Sequence, residues 1–182
     1  STFKGDVLLL GCTFGPNYVS FESSVFEEHF RFHSSMATIQ SRAFSFRDVR
    51  FNGPLSIRGL SLQCVLDLVN TSISHQVSLQ GIKCSLPLRA RDNHEDNFLS
   101  QHNDIERLVR LKSIAEESGN HELALKFHAD EQRAKRWLTT SKSGSIVDLL
   151  LSASCNYGQS ILRPFLLLLV SILFFTGPYT LQ

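Results

Sequence analysis

"FSFRDVRFNGPLSIRGLSLQCVLDLVNTSISHQVSLQGIKCSL", residues Phe44–Leu86, keeps its apolar residues in fixed columns when read in elevens. Phe46, Ile57, Leu68 and Leu79 share one column, and Phe51, Leu62, Ile73 and Cys84 share another. The unit is an apolar–x–apolar pair: Phe44/Phe46, Val49/Phe51, Leu55/Ile57, Leu60/Leu62, Leu66/Leu68, Thr71/Ile73, Val77/Leu79 and Ile82/Cys84. Neither the helical period of about 3.6 nor unbroken alternation describes pairs that stop and restart at every corner. An antiparallel sandwich of short strands would leave the fixed elevens unexplained. Two inward residues followed by a short corner describe one side of a solenoid coil.

Four such sides make a coil of about 22 residues. Phe46 is then expected over Leu68, Phe51 over Ile73, Ile57 over Leu79 and Leu62 over Cys84. Stacked coils bond like a parallel sheet, at about 4.8 Å per coil. Residues 1–88 would give about four coils, a rod roughly 20 Å tall at that spacing. Upstream the pairing continues with looser spacing, through Val7/Leu9, Cys12/Phe14, Val19/Phe21, Phe30/Phe32 and Ala37/Ile39. Gly53, Asn70 and Gly81 fall at corners, where tight turns need such residues.

The stretch "FKGDVLLLGCTFGPNYVSFESSVF" (Phe3–Phe26) resembles the pentapeptide-repeat family, with Phe3, Gly5, Val7, Leu9, Phe14, Val19, Phe21 and Phe26 in pattern positions. The resemblance covers about half the chain and implies a mainly β fold, a right-handed parallel β-helix. Family members usually carry a small residue at the first inward position, where this chain has Val, Leu or Phe. Six-residue steps are also frequent here, so a wider or less regular coil is expected.

The 182 residues carry a net charge of +1, which gives no global field to attract nucleic acid. Residues 1–88 hold six acidic and seven basic side chains, whereas 89–145 hold ten of each. That shift sets a boundary near Pro87. Cys12, Cys64, Cys84 and Cys155 show no CxxC, so neither a disulfide framework nor a zinc site is expected, and a reducing compartment fits. The chain opens at Ser1 without a basic-then-apolar leader and stops just after an apolar run, which reads as a fragment.

Residues 89–103 read as a polar linker, and 104–138 as an α-helical hairpin. Asp104 stands at an expected N-cap, with Ile105, Leu108, Val109, Leu111 and Ala115 as the first apolar stripe. Gly119-Asn120 is a natural C-cap and turn. Leu123, Ala124, Phe127, Ala134 and Trp137 form the second stripe. Gly119, Asn120, Ala124 and Phe127 resemble one tetratricopeptide-like unit. One unit cannot bury its own face, so the hairpin is expected to cap the last coil.

Residues 145–157 read as a short juxtamembrane helix with Ile146, Leu149, Leu150 and Ala153 on one side. Residues 161–181, "ILRPFLLLLVSILFFTGPYTL", read as a transmembrane helix if Arg163 snorkels, rather than as a buried core helix. Lys135, Arg136, Lys142 and Arg163 lie on the N-terminal side of this run, with no positive charge after it. The positive-inside rule then puts the repeat domain in the cytoplasm. "YGQSILRP" (Tyr157–Pro164) looks like the segment before the span in bacterial membrane-anchored pentapeptide-repeat proteins. That resemblance implies the bacterial inner membrane and, in some such chains, a channel-like continuation.

No P-loop, GxSxG or strand-borne GxGxxG is present, so no catalytic, cofactor-binding or metal-ligating residue is expected. His29, His33 and His75 fall off the inward columns, at surface corners. His128 and Glu131 are one helical turn apart, as ligands could be, but with His121 and Asp130 they read as solvated polar residues. Arg42, Arg47, Arg50 and Arg58 could form a basic patch, against the alternative of scattered solubilising charge. The expectation is a non-enzymatic membrane-anchored scaffold for protein–protein interaction, with membrane lipid and an unidentified protein as partners. The alternatives are the cytoplasmic part of a channel-like protein and a topoisomerase-protecting DNA mimic. The latter would need an acidic rod, and this one is near neutral.

Overall fold

The apolar–x–apolar pairs form strands of two to four residues, each ended by a corner. The computed structural model describes residues 1–12, 14–15, 17–34, 38–39, 41–85 and 94–136, with isolated helical positions between 144 and 172. The chain divides into two units, Ser1–Asp130 and Glu131–Gln182. The first holds a parallel β-solenoid. Its opening turn contributes β1 (Thr2–Phe3), β2 (Val7–Leu10) and β3 (Tyr18–Ser20). The second turn adds β4 (Val25–Phe26), β5 (Phe30–His33), β6 (Thr38–Ile39) and β7 (Ala43–Ser45). The third adds β8 (Arg50–Phe51), β9 (Leu55–Arg58), β10 (Ser61–Leu62) and β11 (Leu66–Asp67). A last partial turn carries β12 (Ser72–Ile73), β13 (Val77–Gln80) and β14 (Lys83–Cys84).

Like sides stack into four parallel ladders: β1-β4-β8-β12, β2-β5-β9-β13, β6-β10-β14 and β3-β7-β11. Phe51 registers with Ile73, Ile57 with Leu79 and Leu62 with Cys84, as the elevens require. Phe44 and Ser45 register with Leu66 and Asp67, so Phe46 follows over Leu68, and both are buried. Upstream, Phe32 meets Ile57 after a longer path than Ile57 takes to Leu79. The extra residues lie in the sequence between Phe32 and Phe44. The ladders hold three or four strands each, so the stack is about three turns tall rather than four.

The axis is aromatic in its upper half and aliphatic below. Phe3, Phe26 and Phe51 lie in one column with stacked rings 4.8 and 5.2 Å apart. Phe21 and Phe46 stack at 5.0 Å. These separations match the coil rise of about 4.8 Å, so in-register stacking satisfies ring and backbone together. Below them Leu55, Ile57, Leu60, Leu62, Leu66 and Leu68 are fully buried, each contributing about 1.5–3 kcal/mol.

Two corner columns need the left-handed backbone. Ser23, Asp48 and Asn70 occupy one at φ 53°, 57° and 56°. Gly59 and Gly81 occupy another at φ 64° and 63°, and a Cβ on Gly59 would stand 2.7 Å from the Ser34 carbonyl oxygen. Gly53 is needed for a different reason. Its Cβ would lie 2.3 Å from the Glu28 carbonyl oxygen of the coil before.

Two helices follow, α1 (His94–Glu117) and α2 (His121–Lys135). Ile105, Leu108, Leu111, Ile114 and Ala115 are buried, while Val109, one step past that stripe, is exposed. Between the helices Gly119 adopts φ 72°. Asn120 N donates to the Ala115 carbonyl and Gly119 N to that of Glu116, a Schellman closure. Asn120 then serves twice: Oδ1 accepts from Leu123 N to cap α2, and Nδ2 donates to the Leu79 carbonyl at 2.9 Å.

That last bond is one of several that seat the hairpin on the solenoid's end. Arg110 Nη2 donates to the Thr71 carbonyl at 2.9 Å, and Lys126 Nζ to that of Ile82 at 3.4 Å. Asp67 Oδ2 accepts from Arg107 Nε at 2.9 Å and Arg47 Nε at 3.2 Å, while its Oδ1 accepts from Val69 N at 3.0 Å. The expected cap is thus present; an end ladder left open would be a template for further pairing. Among the described residues no buried side-chain nitrogen or oxygen lacks a partner.

Two further expectations change. α1 begins at His94 rather than at Asp104, so Asp104 is not an N-cap but a buried helical residue accepting from Arg107 Nη1 at 3.1 Å. Residues 94–103 carry no apolar stripe that would have revealed the extra turns. Among the described residues no helix is long and apolar enough to cross a membrane. The stretches 145–157 and 161–181, like Trp137, lie mostly or wholly outside the described residues. Within them Ile146, Leu149, Leu162, Phe165, Leu166, Leu168, Leu169 and Ile172 are helical and exposed.

Candidate interaction face

β2, β5, β9 and β13 are the four-residue strands of the solenoid, so their ladder presents two outward columns. Alternation sends Phe30 and Phe32, or Leu55 and Ile57, to the axis and the residues between and after them outward. Register then aligns Leu8, Arg31, Ser56 and Ser78 in one column and Leu10, His33, Arg58 and Gln80 in the other. These residues line an open recess of about 760 Å³, with His29, Pro54 and Gln76 along one rim. No carboxylate lines it among the described residues. Arg31, His33 and Arg58 are exposed, and among the described residues neither arginine has an ion-pair partner. The arrangement offers two guanidinium groups and a set of hydroxyl and amide groups on a rigid sheet, beside a leucine strip.

The four arginines grouped in the sequence do not form one patch. Arg58 belongs to this face, but Arg50 lies on β8 in another ladder and Arg42 precedes β7 on a third side. Arg47 is committed to Asp67 and, through Nη2, to Glu106 at 3.2 Å. Burial opposes its charge, yet attraction to Asp67 and Glu106 outweighs that and raises its pKa above the ordinary value. Arg31 was not among the sequence candidates. Its signal was present: it is the x of the Phe30/Phe32 pair.

His29, His33 and His75 lie outside the core, as their positions off the inward columns require. His29 Nδ1 lies 3.2 Å from Asp6 Oδ1, and with Glu28 these form a group whose ligand atoms lie within 4.8 Å of one another. Asp6 and Glu28 are exposed, and the His29–Asp6 hydrogen bonds account for the grouping without an ion. On the second helix, His121 is exposed but Asp130 and Glu131 are buried, not solvated as the pattern implied. Lys135 Nζ donates to Glu131 Oε1, which offsets the cost of burying that carboxylate.

Cys12, Cys64 and Cys84 are free thiols. Burial pushes the Cys64 thiol up to about 11 and Cys84 to about 12, so neither is a nucleophile at neutral pH. The chain matches no protein-family model, no curated protein and no solved structure.

Proposed function

We propose that this chain is a non-enzymatic repeat scaffold of pentapeptide-repeat type, which presents the β2-β5-β9-β13 face to a protein partner while its C-terminal segment holds it at the cytoplasmic side of a membrane. The observation that carries the scaffold reading is the pairing of a buried, rung-stacked interior with an outward ladder face whose arginines have no ion-pair partner among the described residues. The laddered backbone holds the columns of such a face in register, so ordering on binding falls to the exposed side chains alone. The membrane half rests on Leu162, Phe165, Leu166, Leu168, Leu169 and Ile172, exposed apolar positions that are helical. Each buried leucine would add about 1.5–3 kcal/mol to insertion.

Liposome flotation and carbonate extraction of the full chain test this. The chain is expected to float with vesicles and to resist carbonate, and Leu166→Asp/Leu169→Asp to abolish both. Release of the unaltered chain into the soluble fraction would remove the anchor from the proposal.

A further inference from the structure

We infer that the β2-β5-β9-β13 face is a docking site for an acidic peptide segment carrying two carboxylates at alternate positions next to an aliphatic residue. This deepens the scaffold reading and rests on it. Three observations lead there. First, the recess is lined by cationic and neutral groups: among the described residues Arg31 and Arg58 are exposed without an ion-pair partner and no carboxylate lines it, while Asp6 and Glu28 stand beside its rim, grouped with His29. Arg47 and Arg107 show the contrast, since they are ion-paired to Asp67, Asp104 and Glu106.

Second, spacing matches. Arg31 registers with Ser56, and Arg58 follows two residues later on β9. One strand step of about 4.8 Å and two residues of about 3.3 Å each put their backbone positions about 8 Å apart. Alternate side chains of an extended peptide leave its backbone at about 6.6 Å intervals, within reach of two flexible guanidinium groups. Carboxylates at those positions take charge-assisted, bidentate bonds that hydroxyls or amides cannot replace.

Third, the face is apolar at one end. Leu8 registers beside Arg31 and Leu10 beside His33, and the two leucines are 55% and 58% exposed. An aliphatic residue preceding the acidic pair would cover them. Ser56, Ser78 and Gln80, on the other side, offer donors and acceptors to peptide backbone. A nucleic acid would demand a phosphate track with no use for the leucines. A flat anionic membrane would not discriminate between acidic-x-acidic and other spacings.

The test uses the full chain in micelles of an uncharged detergent. The probe is a fluorescein-labelled peptide with a leucine followed by Glu-x-Glu, beside its Gln-x-Gln counterpart, read by anisotropy. The acidic peptide is expected to bind with an affinity that falls with salt, and the amide peptide about tenfold or more weaker. Arg31→Gln/Arg58→Gln should weaken the acidic peptide about tenfold, with unchanged far-UV CD, while Arg50→Gln, on another ladder, leaves it unchanged. Equal binding of the two peptides, or equal loss from Arg50→Gln, would overturn the assignment. So would binding to vesicles of anionic lipid that depends on Arg31 and Arg58 while the peptide fails to bind. Flotation reads the membrane anchor separately, so failure of one reading leaves the other standing.

Discussion

Replacing Asp67 by Asn would probe whether the hairpin is bound to the solenoid by electrostatics or merely rests on it. Asp67 is 2% exposed, and its Oδ2 takes two guanidinium donors from different elements, Arg47 on the solenoid and Arg107 on α1. Asn keeps the volume and the acceptor for Val69 N. Its amide nitrogen, however, would face two donors or leave them with one neutral oxygen. Breaking a buried ion pair costs about 3–5 kcal/mol when the remaining charge is trapped. Here the side chains of Arg47 and Arg107 retain 30% and 20% exposure, so water and Glu106 take up part of the loss. That brings the expected cost below this range, to about 2–3 kcal/mol. In a chain of this size it lowers Tm by roughly 5–10 °C. Urea unfolding followed by far-UV CD measures the energy, and hydrogen exchange locates it. Amides of α1 should lose protection before those of β9. Glu106→Gln is the control: its side chain is 55% exposed, and the expected change is below about 1 kcal/mol. A cost for Asp67→Asn no larger than for Glu106→Gln, or loss of protection confined to the solenoid, would refute the account of the cap.

Ile57 lies fully buried between Phe32 and Leu79 in its ladder, so Ile57→Asp puts a charge where no partner is available and should cost more than about 4 kcal/mol. Unchanged far-UV CD and melting would contradict the stacked core. Gly59→Ala should destabilise more than Gly11→Ala in thermal melts. Both positions have positive φ, but only at Gly59 does the new methyl meet a backbone oxygen, at 2.7 Å, whereas at Gly11 it meets nothing within 4 Å. The thiols give the pH dependence. In the unfolded chain Cys64 and Cys84 lose protons near pH 9.0, while burial holds the folded groups at about 11 and about 12. Their contribution is therefore full below pH 9 and is lost as pH climbs through those folded values. The urea midpoint should fall more steeply above pH 9 than in a Cys64→Ala/Cys84→Ala chain, and parallel slopes would count against it.

The solenoid was legible because its geometry writes itself into spacing. One strand and one corner consume a nearly fixed length of chain, so Phe51, Ile57 and Leu62 announce their partners a coil later. The same logic explains where the reading loosened. Extra residues between Phe32 and Phe44 break the elevens, yet Phe32 stays in register with Ile57. Helix boundaries carry no such constraint. The first turns of α1 have no apolar stripe, and Asp104, a plausible cap by residue type, is instead held inside the helix by Arg107. Glu131 looked wet for a similar reason: Lys135, one turn on, makes its burial tolerable.

Charge was the least legible layer, and the coil explains why. Arg42, Arg47, Arg50 and Arg58 are neighbours along the chain, yet a chain that turns a corner every five or six residues sends them to different sides. Arg31 and Arg58 are far apart in sequence, yet the stack brings their strands together as adjacent rungs of one ladder. Asp67 likewise gathers Arg47 and Arg107 from twenty residues before it and forty after. In a solenoid, then, a local run of like charge is dispersed by folding, while charges about one coil apart are concentrated. A basic surface on such a chain has to be sought at the coil period, on the residues that alternate with the apolar pairs. Applied to the longest strands, that rule selects Arg31 and Arg58 together and leaves Arg42 and Arg50 on other sides.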